Sequence, residues 1–109
     1  MNSDFLRDKA IETQCVQAGY YPENQDARVM PIVQSTTYKF DTADELGDVF
    51  DLKVAANMYT RLGNPTLNWL EEKIAVLEGG VGAVTTSSGQ SANLFAIINI
   101  TKTGEHVIA

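Results

Sequence analysis

Beyond residue 63 the spacing of apolar residues alternates between two periods, and that alternation narrows the fold more than any other feature. Leu67, Leu70, Ile74 and Leu77 recur at helical intervals, with Glu71, Glu72 and Lys73 turned toward solvent. Asn64 is a good N-cap before them, and Pro65 suits a first helical position because its missing N–H has no partner there anyway. Gly79 and Gly80 stop this helix. Residues 82–86, GAVTT, are short, small and apolar, as a buried strand is. A turn at Ser87, Ser88 and Gly89 leads into a second helix from about Gln90 to Ile100. Thr103, Gly104 and Glu105 then turn the chain into a strand starting at His106. Helix, strand, helix, strand is the order of an α/β fold, and its strand–helix–strand part is predicted to cross over between parallel strands.

The first half lacks this regularity. A helix is predicted over residues 4–18, with Phe5, Ile11 and Cys15 or Ala18 on its apolar side and Gly19 as its stop. Val29 to Phe40, VMPIVQSTTYKF, is rich in β-branched and aromatic residues and is predicted to be extended, with Pro31 keeping it out of a sheet centre. Asp41 and Thr42 offer an N-cap for a short helix through Phe50. Such a segment has little core of its own. Residues 1–58 are therefore expected to form an arm that lies on something else, detached from the more regular remainder. The last four residues, His106 to Ala109, read as half of a buried strand with no turn or cap after it, so the chain is expected to be part of a longer protein.

With 109 residues the chain has room for one small domain. A net charge of −6 with no basic cluster argues against nucleic acid or an anionic membrane as partner. The N-terminal MNSDFLRDKAIETQ lacks the apolar stretch of a signal peptide, and no apolar run is long enough to span a bilayer. One cysteine, Cys15, forms no internal disulfide and fits a reducing compartment, so a cytoplasmic protein is expected.

Two segments carry chemistry. In Thr86-Ser87-Ser88-Gly89-Gln90-Ser91, between a predicted strand and helix, the first helical N–H groups lack internal partners and sit at the positive end of the helix dipole. Gly89 admits close approach and Ser88 adds a hydroxyl, so a phosphate or carboxylate fits; equally, Ser and Gly at a helix start serve as plain caps. In Tyr59-Thr60-Arg61-Leu62-Gly63-Asn64-Pro65-Thr66, an extended backbone puts Tyr59 and Arg61 on one side. There the Arg61 fork and the Tyr59 hydroxyl suit phosphate oxygens; a solvated arginine beside a packed tyrosine is the plainer alternative.

Taken together, YTRLGNPT, LEEKIAVLEGG and SSGQSA, at these separations, resemble the Cys/Met-metabolism family of pyridoxal-phosphate (PLP) enzymes. VMPIVQSTTYKF is similar to that family's N-terminal arm, and GEHVIA to its next strand. The resemblance implies an aspartate-aminotransferase-like α/β fold (fold type I), with residues 1–58 an inter-subunit arm and 59–109 the start of a large PLP-binding domain. It implies PLP as cofactor, with Ser88, Gly89 and Gln90 at its phosphate and Tyr59 and Arg61 reaching the same phosphate from the neighbouring subunit of a homo-oligomer. It implies a small amino acid as substrate, in a transferase or lyase of sulfur amino-acid metabolism. Gln90 in an SGQ-type sequence resembles the O-acetylhomoserine sulfhydrylases, with methionine γ-lyase and the cystathionine enzymes as alternatives.

By the same resemblance the catalytic lysine lies beyond residue 109, and the chain by itself is expected to be inactive. Lys9, Lys39 and Lys53 have no motif around them, and Lys73, on the polar side of its helix, and Lys102, in a turn, are expected to be solvated, so no catalytic residue is assigned here. His106 has no second ligand at metal spacing, and Cys15 is expected to be a small core residue. A non-catalytic chain that docks on a longer relative is the reading from another class.

Overall fold

The structure, a computed structural model, describes residues 4–108. Among the described residues five helices follow one another: α1 (Asp4–Arg7), α2 (Ile11–Gln17), α3 (Ala43–Phe50), α4 (Pro65–Leu77) and α5 (Gly89–Ile100). None is long and apolar enough to cross a membrane.

The N-terminal stretch forms two short helices rather than the one predicted. Gln14 explains the break. Its buried side-chain amide donates to the carbonyls of Arg7 (3.1 Å) and Lys9 (2.8 Å), which satisfies the end of α1 from the middle of α2. The buried side also differs from expectation. Leu6 and Ala18 pack with Val76 of α4, with Tyr21 against them, while Phe5, Ile11 and Cys15 are exposed. Ala18 is followed by Gly19 at φ +86°, where a Cβ would lie 2.1 Å from the Trp69 carbonyl oxygen. Only glycine lets the chain approach α4 so closely. The Tyr20 and Trp69 rings meet in a T-shaped arrangement at a 4.7 Å centroid separation, and Arg7 donates to the Gly80 carbonyl at 2.8 Å. The Tyr21 hydroxyl oxygen is enclosed; burial first, then the Glu72 carboxylate, raise its pKa above the ordinary 10.0.

The helices and extended segment of residues 4–38 are thus not detached. Helices α1 and α2 pack on α4, and the extended segment after them is tied to the start of α4. The amide of Val33 donates to the Thr66 hydroxyl (2.8 Å), which in turn donates to the Pro31 carbonyl (2.9 Å). Thr37 and Tyr59 form an isolated antiparallel bridge. Thr42 caps α3 as the sequence predicts, and Glu45 returns its bond to complete a capping box.

Helix α4 has the predicted Asn64 cap and Pro65 start. Its end is a Schellman motif, in which Gly80 donates to the Ala75 carbonyl and Gly79, at φ +66°, to that of Val76. The predicted strands do not form: among the described residues there is no strand, and 82–86 pairs with no neighbour. A strand exists only by pairing, and Thr85 instead gives both its amide and its hydroxyl to the Glu71 carboxylate, each at 2.7 Å. The apolar stripe of α4 is likewise open, with Leu67, Leu70 and Ile74 exposed.

Candidate functional site

Tyr59 begins a tight turn. Its carbonyl accepts from the amides of Leu62 (2.8 Å) and Gly63 (3.1 Å), so residues 60–62 bend where an extended stretch was expected. The turn still places the two side chains together. The Arg61 guanidinium carbon lies 5.4 Å from the centroid of the Tyr59 ring, a cation–π arrangement that leaves the guanidinium hydrogens free to meet an anion. Both residues are exposed.

Asn64 holds this turn from below, a role that its identity as a helix cap concealed. Its side chain is buried, and it contacts four oxygen or nitrogen partners. The amide nitrogen donates toward the Val33 carbonyl (3.0 Å), the Tyr38 hydroxyl (3.1 Å) and the Thr60 hydroxyl (3.3 Å). Its oxygen accepts from the Thr66 amide at 2.9 Å. Thr60 is fixed further by its amide on the Thr36 carbonyl (2.9 Å) and its hydroxyl on the Ser35 carbonyl. The only sequence signal for this hub was an asparagine before proline, which reads as a cap.

The second cluster stands at the start of α5. Ser88 is the N-cap, and its hydroxyl accepts from the Ser91 amide (3.1 Å) and meets the Ser91 hydroxyl at 2.9 Å. Its carbonyl accepts from the Thr86 hydroxyl at 2.8 Å. Among the described residues no acceptor meets the amides of Gly89 and Gln90. A Cβ built on Gly89 meets nothing within 4 Å, and Gly89 is not among the glycines at positive φ. Neither backbone conformation nor crowding within the chain demands glycine there. Open space before unpaired amides at the positive end of a helix fits a phosphate group.

Among the described residues no hydrogen bond, ion pair or ring contact joins Tyr59 and Arg61 to Ser88, Gly89 and Gln90. Beside the second cluster, an apolar cavity of about 550 Å³ runs between Val84 and Thr86 on one side and Ala92, Phe95 and Ile98 of α5 on the other.

Four of the five lysines are engaged elsewhere. Lys73 donates to the Cys15 carbonyl at 3.0 Å, Lys39 pairs with Asp41, and Lys9 lies over the Phe5 ring. Lys53 sits between Asp51 and Asp48, whose carboxylates raise its pKa, the opposite of what a nucleophilic lysine needs. Among the described residues no group of three or more His, Cys, Asp or Glu side chains is placed to hold a metal ion.

The same combination of segments occurs in known proteins. The profile of the Cys/Met metabolism PLP-dependent enzymes matches residues 12–109. O-acetyl-L-homoserine sulfhydrylase of Leptospira meyeri is 41% identical, over 90% of this chain and 22% of that protein. The Corynebacterium glutamicum protein of the same name is 45% identical, over 90% of this chain and 23% of its own length. L-methionine gamma-lyase of Fusobacterium nucleatum subsp. polymorphum is 44% identical, over 90% and 25%. The chain thus spans about a quarter of the length of the curated relatives it matches. A Campylobacter jejuni crystal structure described as an O-acetylhomoserine (thiol)-lyase, containing N'-pyridoxyl-lysine-5'-monophosphate, superposes with a TM-score of 0.78. The match has 33% identity and covers 90% of this chain and 24% of that one. Its fold is therefore shared by this chain, and the profile match across nearly every residue places the chain in the family of Cys/Met metabolism PLP-dependent enzymes.

Proposed function

We propose that the protein carrying this chain is a PLP-dependent O-acetylhomoserine sulfhydrylase, which replaces the γ-acetate of its substrate with sulfide or a thiol to give homocysteine or methionine. The observation that carries this reading is the pair of unpaired Gly89 and Gln90 amides at the start of α5, with nothing crowding the Gly89 Cα. Ser88, Gly89 and Gln90 hold the cofactor's phosphate, the two amides by donating to its oxygens and Ser88 by fixing the first turn through Ser91. Arg61 and Tyr59 complete the phosphate shell from a neighbouring subunit, a reading supported by their exposure and by the absence, among the described residues, of any hydrogen bond, ion pair or ring contact joining them to residues 88–90. Bound PLP supplies an electron sink for proton loss beside the substrate's amino group. The lysine that carries the cofactor is supplied by a part of the protein other than these residues.

In the same reading residues 1–58 form an arm across an inter-subunit contact, and 59–109 open the large α/β domain. Residues 82–86 become a strand of its sheet once a neighbour pairs with them. The assembly is a tetramer of catalytic dimers, acting in the cytoplasm in methionine biosynthesis.

Gln90 in its SGQ context favours the sulfhydrylase over the lyase. The Fusobacterium lyase, as similar as the sulfhydrylases, makes methionine γ-lyase the second reading. Purified full-length protein should convert O-acetylhomoserine and sulfide to homocysteine faster than it releases a keto acid from methionine. Rapid methionine breakdown with no homocysteine formed would establish the lyase instead.

A further inference from the structure

We propose that Asn64 is a positioning residue that sets the Tyr59–Arg61 pair for its anion; this rests on the reading of that pair as phosphate ligands. An N-cap needs only an acceptor, and Asn64 meets that need with its oxygen on the Thr66 amide. Aspartate or serine caps as well. The amino half of the side chain has a different task. It offers two protons to three oxygens, those of Val33, Tyr38 and Thr60, so its donors are fully used in a buried place.

Those three oxygens belong to the extended segment and to the turn itself. Thr60 is gripped on both sides, by Asn64 beneath it and by the Ser35 and Thr36 carbonyls beside it. Arg61, the next residue, has the Tyr59 ring as its described contact and belongs to no described ion pair. The direction of its guanidinium is therefore inherited from the backbone of the turn, and Asn64 links that backbone to the rigid start of α4 and to the arm. Loss of the amino group frees the turn without uncapping the helix. A ligand displaced by a fraction of an ångström loses much of a charge-assisted contact.

Asn64→Asp in the full-length protein separates the two tasks, because aspartate keeps the acceptor and removes the donors. Dissociation constants of the apoenzyme for PLP and for pyridoxal, which lacks the phosphate, are measured by ultrafiltration, beside the apoenzyme's unfolding midpoint. Binding of PLP is expected to weaken about tenfold. Pyridoxal binding stays as it was, while the lost donors lower the midpoint by a few degrees. Equal weakening for both ligands, or unchanged PLP binding, overturns the positioning role.

Arg61→Ala in parallel guards the premise. If it leaves the preference for PLP over pyridoxal intact, the phosphate reading of Arg61 fails and the inference falls with it. If Arg61→Ala abolishes the preference while Asn64→Asp does not, the reading stands and the inference alone fails. Should the aspartate variant not fold, Thr60→Val removes the turn's own hydroxyl, and a folded valine variant with undiminished phosphate preference is equally decisive against the proposal.

Discussion

Gly19 shows how one residue sets the relation between two segments far apart in sequence. Its φ of +86° disfavours any side chain, and the 2.1 Å gap from a hypothetical Cβ to the Trp69 carbonyl forbids one. The neighbour is helix backbone, which cannot swing aside as a long side chain can. Gly19→Ala therefore must part α2 from α4, opening the contact of Leu6 and Ala18 with Val76 and the Tyr20–Trp69 pair. We expect the variant to lose about 3 kcal/mol or more of stability, the sum of backbone strain and an overpacked contact. Urea unfolding followed by Trp69 fluorescence measures it, and a loss below about 1 kcal/mol would mean the two helices separate at little cost. Gly89 is the contrasting case, because nothing in the chain crowds it. One glycine serves packing and the other leaves room.

Helix α3 depends heavily on its own ends. Val49 is its buried residue, and Phe50 at its end is exposed, so tertiary packing adds little. The reciprocal bonds of Thr42 and Glu45 close its first turn. Thr42→Ala should cost about 1 kcal/mol, felt as faster hydrogen exchange confined to the amides of residues 43–50. Unchanged exchange there would show that packing, rather than the cap, maintains α3. Devices of this kind are why the boundaries of α3, α4 and α5 were legible: Thr42, Asn64 with Pro65, and Ser88 act within one turn of chain. The break between α1 and α2 was not, because it depends on which carbonyls the Gln14 side chain reaches after folding. The same limit applied to the site. Ser88 and Gly89 could be read at a helix start, whereas the turn that stacks Arg61 on Tyr59, and the Asn64 hub below it, depend on residues 33–38 of the arm folding back onto them. Residues 82–86 have strand composition but no partner, and composition alone makes no ladder.

The molecule as a whole has more surface than a self-contained domain of its mass. Its accessible area is 8836 Å², against about 6,000 Å² expected for a compact protein of this size. Its radius of gyration is 17.0 Å, against about 13 Å for a domain of this length. The excess is apolar and lies on particular elements: Leu94, Phe95 and Ile98 of α5 are half exposed or more, and α4 leaves Leu67, Leu70 and Ile74 open. A helix apolar on every side is one that becomes covered on every side. Such surface suits a chain that matches about a quarter of its relatives' length. The two half-sites can be tested at this scale too. If residues 59–61 of one subunit complete the site begun by residues 88–90 of another, two different broken subunits repair each other. Arg61→Ala spoils the site to which a chain lends its turn, and Gly89→Val spoils the site at the start of its own α5. A dimer with one chain of each kind then has one site with both defects and one with neither. Random pairing makes half of the dimers mixed, so equal co-expression of the two variants should restore about a quarter of the wild-type cofactor sites. Each variant alone should restore few or none. Titration of bound PLP after co-purification counts these sites directly. If both half-sites instead serve the same chain's cofactor, every chain carries a defect in its own site, and mixing recovers nothing.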